Sequence, residues 1–404
     1  MKKMTVAFIG CGSFARSFVP IMKNHPSVEK VYVCDLIRER AEDYAKEFNV
    51  EIIDSFEDVL ADSSIDSIAN FTQRHLHGDI VIRALKAGKN VYSAVPMAST
   101  VEECQEIVEL VKEKNLIYMM GETCYYYPCA MFCREAFEAG KFGDFTYGAA
   151  QYYHHIDDIS YGRRPNEGGM PPLLYPTHST GMILSAVHSY VTKVVCLGYE
   201  DTTKDGRFGE GCNQWNNKYI NQYTLMKLAN GGTARVTEAR NFGWKKPSSY
   251  ISAIYGTEGA YECSNAQHIL VEKDWEYGKE EKVKLTDVSD YINSKETVEN
   301  KDDPLFLECV ANGKWMHHTT SAVQQKEVDR LPPEIVDLPD GHMGTHRLLM
   351  DDFCKAVYNK KQPVLNAWTA ARYTIPGLVA IKSCEAGGIP LDVPDCGECP
   401  EELM

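Results

Sequence analysis

The sequence predicts an α/β protein with two domains. The first is a doubly wound parallel sheet covered by helices, and the second is an α+β domain with an open, mainly antiparallel sheet. The chain has 404 residues, more than a single hydrophobic core usually serves. Short apolar runs alternate with amphipathic stretches as far as about residue 121, and strand patterns with period two follow. We therefore expect a first domain over 1–123 and a second over 124–404.

The composition is typical of a soluble globular protein. Hydrophobic residues make up 44% of the chain and charged residues 25%, and no apolar run approaches the roughly 20 residues of a membrane span. The net charge of −15 disfavours nucleic acid and acidic membrane surfaces as partners. The first ten residues lack a secretory pattern, and the 14 cysteines are scattered through apolar segments. We expect a cytoplasmic protein with reduced cysteines.

Repeated β-α units account for the first domain. The predicted strands are 4–9, 30–34, 67–70, 90–93 and 117–121, and the predicted helices are 14–23, 38–48, 77–87 and 101–114. Parallel strands joined by helices are buried on both faces, which explains why these strand segments contain short apolar runs.

The first turn, residues 10–15, has the pattern of a dinucleotide-binding loop. Gly10 permits a tight turn, Gly12 lets a pyrophosphate approach the backbone, and Ala15 allows close packing of helix on strand. Asp35 follows the second strand about 20 residues later, where a carboxylate binds the ribose hydroxyls and repels a 2′-phosphate. This pattern predicts a Rossmann domain that binds NAD, although Arg38 could turn toward a 2′-phosphate.

The second domain shows strands with period-two alternation, predicted at 145–153, 219–228, 233–239 and 249–255. Asn230-Gly231-Gly232 is typical of a hairpin turn. One face of such a sheet packs on helices, and the other could contact substrate or a second subunit, so a homo-oligomer (dimer or tetramer) is expected.

Ionisable and aromatic side chains are concentrated between residues 151 and 190. Histidine titrates near neutrality and suits acid–base chemistry, although any one of these histidines could equally be a buried core residue. A metal site is disfavoured because only His342 and His346 have helix-face spacing, and the pair Cys396 and Cys399 has no second pair at zinc spacing. We expect no metal.

The segment 87–96, Ala-Gly-Lys-Asn-Val-Tyr-Ser-Ala-Val-Pro, resembles the Gfo/Idh/MocA oxidoreductases. The resemblance extends over 72–77, 256–259 and 366–395, and so over nearly the whole chain. Typical family dehydrogenases carry a lysine before this proline that takes part in proton transfer. Val95 occupies that position here and cannot carry a proton, so the acid and base must come from elsewhere.

A subgroup with valine at this point is the NAD-dependent α-N-acetylgalactosaminidase-like glycosidases. This chain is similar to them at 119–123, 153–155, 174–178 and 341–344, and Tyr-Pro-Thr-His at 175–178 is the most specific of these segments. The resemblance implies a redox-neutral cycle: a sugar hydroxyl at C3 is oxidised, the aglycone leaves by elimination, water adds, and the ketone is reduced again.

The resemblance also implies roles for individual residues. His178 is the expected acid–base residue, with Tyr153 as its partner and His155 in reserve. The expected cofactor-binding residues are Gly10, Gly12, Ser13, Phe14, Asp35, Arg38, Thr72, His77, Val95, Pro96 and Glu122. The expected substrate residues are Tyr175, Arg163, Arg164 and His342. The alternative interpretation of the two arginines is that they are solvated charges on the surface.

Two other functions stay open. The chain could be a sugar dehydrogenase that forms a keto sugar and releases NADH, or a non-catalytic NAD-binding protein. The segments 346–358 and 367–386 are predicted helices, and the resemblance returns the last one toward the first domain. The segment 273–335 lacks periodicity, which suggests loops that form a substrate lid or an oligomer contact.

Overall fold

The computed structural model describes residues 3–155, 168–242, 248–263, 267–274, 282–293, 321–338 and 340–404. The chain forms two compact units, each drawn from separate stretches of sequence. The first unit comprises Met1–Tyr126, Ser294–Ala371 and Cys396–Met404, and the second comprises Tyr127–Asn293 and Arg372–Asp395. Residues 321–371 thus lie in the first unit, although the predicted boundary after 123 assigns them to the second domain.

A parallel sheet forms the centre of the first unit. Within the described residues it has six strands in the order β3-β2-β1-β4-β5-β6, with every pair parallel. The strands are β1 Met4–Ile9, β2 Val28–Cys34, β3 Glu51–Ile52, β4 Ser67–Asn70, β5 Asn90–Ser93 and β6 Tyr118–Met120. All six residues of β1 are buried, as expected for a central strand covered on both faces.

Helices connect these strands and continue into the later part of the first unit. They are α1 Val19–Asn24, α2 Arg38–Phe48, α3 Phe56–Ala61, α4 His77–Lys86 and α5 Val101–Lys114. The predicted helix 14–23 is interrupted: a 3-10 turn at Ala15–Ser17 precedes α1, which has proline in its first turn. Thr100 and Glu103 form a capping box at the start of α5.

The second unit is built on a mixed sheet. Its nine strands among the described residues are ordered β14-β13-β12-β11-β7-β10-β9-β8-β15, and only β10 with β7 is a parallel pair. The strands are β7 Phe145–Tyr153, β8 Val191–Glu200, β9 Tyr219–Leu228, β10 Thr233–Ala239, β11 Ser248–Gly256, β12 Gly259–Cys263, β13 His268–Asp274, β14 Lys282–Asp287 and β15 Leu391–Asp392. The predicted fold class is confirmed.

The remaining helices are divided between the two units. They are α6 Pro128–Glu138, α7 Thr177–Val187, α8 Ser289–Ile292, α9 Gln325–Val328, α10 Pro333–Val336, α11 Thr345–Asn359 and α12 Ala367–Glu385. In the first unit, α11 packs against β1 and α1, which explains why this late segment joins the parallel sheet. In the second unit, α7 is buried along its whole length and packs against β7, β10, β11 and α6.

In the described part of the chain, no helix has both the length and the apolar character that crossing a membrane would need.

Candidate active site

The turn after β1 leaves room for a ligand next to the backbone. Gly10 has a φ of +96°, and a Cβ atom there would lie 2.8 Å from the carbonyl oxygen of Phe71. Only glycine fits this passage without strain. At Gly12 a Cβ atom would meet nothing within 4 Å, and Ser13 is exposed. The open space beside Gly12 therefore fits the close approach of a pyrophosphate, as predicted for a dinucleotide.

Asp35 is held by backbone amides at the end of β2. Its Oδ2 accepts a hydrogen bond from the N–H of Cys11 at 2.7 Å, and its Oδ1 accepts one from the N–H of Ile37 at 2.8 Å. Burial raises the pKa of the Cys11 thiol to about 12, and the charge of Asp35 adds to this effect. An anchored carboxylate at this point suits the ribose hydroxyls of NAD.

Arg38 is engaged by two carboxylates. Its Nε lies 3.0 Å from Glu42 and its Nη1 lies 2.5 Å from Asp54, and all three side chains are more than half exposed. A 2′-phosphate would have to compete with both carboxylates for this guanidinium. The pairing supports a preference for NAD over NADP.

His77 connects the two loops that follow β4 and β5. Its Nδ1 lies 2.8 Å from the carbonyl oxygen of Pro96, and its Nε2 lies 3.2 Å from the carbonyl oxygen of Thr72. The ring is buried, and the Thr72 hydroxyl donates to Asn70 at 2.8 Å. Both ring nitrogens of His77 are directed at the backbone, so this residue positions the loops between which a cofactor would lie.

Residues 94–96 follow the carboxyl end of β5 and include no side chain that can carry a proton. A buried carboxylate, that of Glu122, follows the neighbouring strand β6. Ala94 and Val95 are buried, and the Val95–Pro96 peptide bond is cis. Glu122 follows β6 and is completely buried, and its Oε1 accepts a hydrogen bond from the N–H of Cys124 at 2.8 Å. Valine cannot take part in proton transfer.

His342 lies beside the glycine turn in the first unit. Its ring is 5.3 Å from that of Phe14, and its Nδ1 is 2.9 Å from Nε2 of His346. The other ring nitrogen of His346 lies 3.0 Å from the hydroxyl of Ser17, and burial lowers the pKa of His346 well below its usual value. His342, predicted as a substrate residue, thus belongs with the expected cofactor residue Phe14.

His178 and two tyrosines form a buried cluster in the second unit. Nε2 of His178, in the first turn of α7, lies 3.0 Å from the hydroxyl of Tyr175. The ring of Tyr152 on β7 is 5.0 Å from the His178 ring and 5.8 Å from the Tyr175 ring. All three side chains are buried. A histidine hydrogen-bonded to a phenol can accept and return a proton.

The structure does not bring Tyr153 to this cluster. Successive side chains of a strand point to opposite faces, and Tyr153 contacts Phe242 and Tyr250, with ring centroids 5.0 and 6.5 Å apart. Burial raises the pKa of Tyr153. His155 also lies near Phe242, at 6.2 Å. The tyrosines beside His178 are Tyr175, which the sequence assigned to substrate, and Tyr152, which it missed.

The alternation along β7 was the signal that could have identified Tyr152. His154, two residues on, is buried on the same face, with its ring 5.6 Å from that of Tyr152. Arg163 and Arg164 lie outside the described residues.

Comparison with known proteins places the first unit in a family. Residues 4–122 match the Gfo/Idh/MocA model, described as an oxidoreductase family with an NAD-binding Rossmann fold. Over these residues the chain has the NAD-binding domain of the Gfo/Idh/MocA oxidoreductases. The family and the NAD cofactor inferred from the sequence are thereby confirmed.

Two relatives illustrate the family's range. A glycosyl hydrolase family 109 protein of Streptomyces filamentosus is 23% identical over 417 residues, covering 96% of this chain and 76% of the relative. The scyllo-inositol 2-dehydrogenase (NAD(+)) of Bacillus subtilis is 26% identical over 253 residues, covering 60% of this chain and 68% of the relative. The similarity to the first relative extends over both units of this chain.

A solved structure is similar over almost the full chain. Levoglucosan dehydrogenase in complex with NADH and levoglucosan has a TM-score of 0.71 and 17% identity, covering 97% of this chain and 100% of that one. At this identity the likeness shows that the two proteins share a fold.

We predict that Gly10→Ala and Gly12→Ala separate folding from cofactor binding. Gly10→Ala should destabilise the first unit by about 1–3 kcal/mol, because alanine disfavours the positive φ and its methyl group meets Phe71. Gly12→Ala should fold normally, because its methyl group meets open space, yet weaken NAD binding. Thermal unfolding and NAD titration measure the two effects, and equal stability loss in both variants would contradict the assignment.

We predict that Asp35→Asn reduces the preference for NAD over NADP. The amide keeps a hydrogen-bonding oxygen but loses the charge that repels a 2′-phosphate. The ratio of dissociation constants for the two cofactors, measured by titration of fluorescence, should fall by at least about tenfold, the equivalent of 1.4 kcal/mol. Glu109→Gln serves as the control, since it removes an exposed carboxylate on another helix, α5, and leaves Asp35 and the partners of Arg38 unchanged.

Proposed function

We propose that this protein is an NAD-dependent carbohydrate-active enzyme that oxidises a sugar hydroxyl. We further propose that the oxidation, at C3, is one step of a redox-neutral cleavage of a glycoside. The observation that carries the proposal is the buried pair of His178 and Tyr175, with 3.0 Å between Nε2 and the phenol oxygen. This pair supplies the proton chemistry that Val95 cannot.

Oxidation of an alcohol requires a hydride acceptor and a base. Bound NAD supplies the hydride acceptor, and Gly10, Gly12, Asp35 and the loops that His77 connects would hold it. Nε2–H of His178 donates a hydrogen bond to the Tyr175 hydroxyl, which orients the imidazole, and Nδ1 takes the hydroxyl proton of the substrate.

The same two residues suit the steps that follow oxidation. A ketone at C3 makes the proton on C2 acidic, so a neighbouring base can remove it and the aglycone can leave from C1. Water then adds across the double bond, and the hydride removed from C3 in the first step is returned to C3, so that the carbonyl becomes an alcohol again. His178 both accepts and returns protons in this sequence, which a histidine near neutral pH can do.

The relatives support sugars as the substrate class. One is named a glycosyl hydrolase family 109 protein and another an inositol dehydrogenase, and the similar solved structure is a levoglucosan dehydrogenase. The similarity to the glycosyl hydrolase family 109 protein extends over 96% of this chain.

A sugar dehydrogenase that releases NADH is the second candidate, because two of these named proteins are dehydrogenases. The two functions differ in the fate of the electrons. Purified protein incubated with aryl glycosides and no added cofactor should release the aglycone if the cycle is redox-neutral. Steady formation of NADH from a free sugar, with NAD supplied, would favour the dehydrogenase.

Failure of both assays over a broad sugar panel, with NAD bound, would leave the non-catalytic NAD-binding protein as the remaining interpretation. NAD binding is measured separately by extracting the cofactor from purified protein, so loss of the site and loss of the chemistry are distinguished.

We predict that His178→Ala lowers kcat by about 10²–10⁴-fold, the usual contribution of general acid–base catalysis, with NAD affinity unchanged. His188→Ala is the matched control, because His188 caps the other end of α7 and pairs with Glu138 at the surface. Equal activity of the two variants in the glycoside assay would refute the role of His178.

We also propose a homo-oligomer that uses the open face of the second sheet. Leu197 and Tyr223 are cross-strand neighbours on β8 and β9, and Leu225 follows on the same face; all three are exposed. Contiguous exposed apolar residues on a sheet are typical of a subunit contact.

We predict that Leu225→Lys shifts the protein to a smaller species in light scattering coupled to size-exclusion chromatography. Val364→Lys is the control, because Val364 is 52% exposed and Leu225 is 53% exposed, and Val364 lies in the first unit. An unchanged molar mass for Leu225→Lys would argue against this face.

A further inference from the structure

A buried pair of charges lies beneath the His178 cluster. Glu238, near the end of β10, is completely buried, and Arg240 just beyond the strand is 3% exposed. Nη2 of Arg240 donates to Oε2 of Glu238 at 3.1 Å. The other carboxylate oxygen of Glu238 accepts a hydrogen bond from the hydroxyl of Ser179. Ser179 is the residue after His178 on α7, so Glu238 holds the turn that carries the histidine.

Arg240 is also connected to His178, through the ring of Tyr152. Its guanidinium lies over the ring of Tyr152, 5.0 Å from the centroid, and Tyr152 in turn lies 5.0 Å from His178. The guanidinium also donates to the carbonyl oxygens of Ala239 at 3.2 Å and Pro172 at 3.3 Å. The planar, many-donor shape of arginine lets one group stack on a ring and hold three oxygens.

Burial of these charges is not explained by stability alone. Removing two charges from water costs several kcal/mol per ion, and apolar residues of similar volume often serve a core as well or better. A buried ion pair can instead specify one arrangement of the groups it contacts. Here the contacts of both charges converge on His178, one through Ser179 and one through Tyr152.

We propose that Glu238 and Arg240 are positioning residues that set the orientation of the His178 imidazole. The proposal rests on the proposed function, because it assigns them an effect on a reaction in which His178 carries protons. Glu238 holds the first turn of α7, and Arg240 holds the Tyr152 ring against which the imidazole packs. Neither residue is assigned a contact with substrate.

The first test measures whether the effect of each substitution on the reaction rate requires His178. Arg240→Lys keeps the charge but loses the planar stacking, and Glu238→Gln keeps the shape but loses the charge. Each should lower kcat by about 10- to 100-fold with KM little changed, since small misplacements of a catalytic group have effects of this size. In a His178→Ala background, neither change should lower the residual single-turnover rate further.

Two further variants keep the test independent of general destabilisation. Ser179→Ala removes one hydroxyl, should fold, and should lower kcat only when His178 is present. Tyr261→Phe is the control, because it removes a buried hydrogen bond of 2.6 Å to His268 elsewhere in the second unit. Equal rate loss in both backgrounds, or the same loss in Tyr261→Phe, would overturn the positioning role.

A spectroscopic measurement tests the proposal without turnover. Nuclear magnetic resonance of protein labelled with ¹⁵N in histidine reports the ring nitrogens, and the His178 signals are assigned by their absence in His178→Ala. Arg240→Lys and Glu238→Gln should shift these signals, whereas Tyr261→Phe should not. Unshifted signals would refute the proposal. Shifted signals in a protein that fails every sugar assay would leave the positioning intact and refute the proposed function.

Discussion

The close approach of the backbone at Gly10 to the backbone at Phe71 is the constraint on which the cofactor site of the first unit depends. Gly10 has a left-handed backbone conformation where the chain leaves β1. A Cβ atom at this residue would lie only 2.8 Å from the carbonyl oxygen of Phe71. The next residues, from Cys11 to Ser13, follow the carboxyl end of this central strand. The amide of Cys11 then anchors Asp35, so the steric limit at one residue also orients the carboxylate expected to bind the ribose.

In the second unit, one buried helix organises the chemistry. α7 is covered along its length by β7, β10, β11 and α6, so the residues of its first turn have few alternative conformations. The hydrogen bond between Tyr175 and His178 closes that turn, and the Glu238–Arg240 pair lies below it. Val95 cannot carry a proton, and the proposed function therefore assigns the proton chemistry to a residue of this buried helix.

Much of the fold could be predicted from local pattern. Short apolar runs indicated the parallel strands, and period-two alternation indicated the antiparallel ones, because burial on two faces or one face leaves different sequences. The short strand β3 and the helix α3 were missed, since two residues of strand and six of helix carry too little periodicity. The placement of 321–371 beside the parallel sheet was missed as well, because packing between distant segments leaves no local pattern.

The sequence by itself determined the class of fold, the dinucleotide turn and the carboxylate at Asp35, because each depends on residue type at fixed spacing. The role of His178 rests on the resemblance and stays a prediction. Only the tertiary structure decided which side chains meet. It placed Tyr152 rather than Tyr153 beside His178, His342 beside Phe14, and Glu238 with Arg240 below the cluster. A strand alternates its faces with every residue, so an error of one position changes the neighbourhood completely.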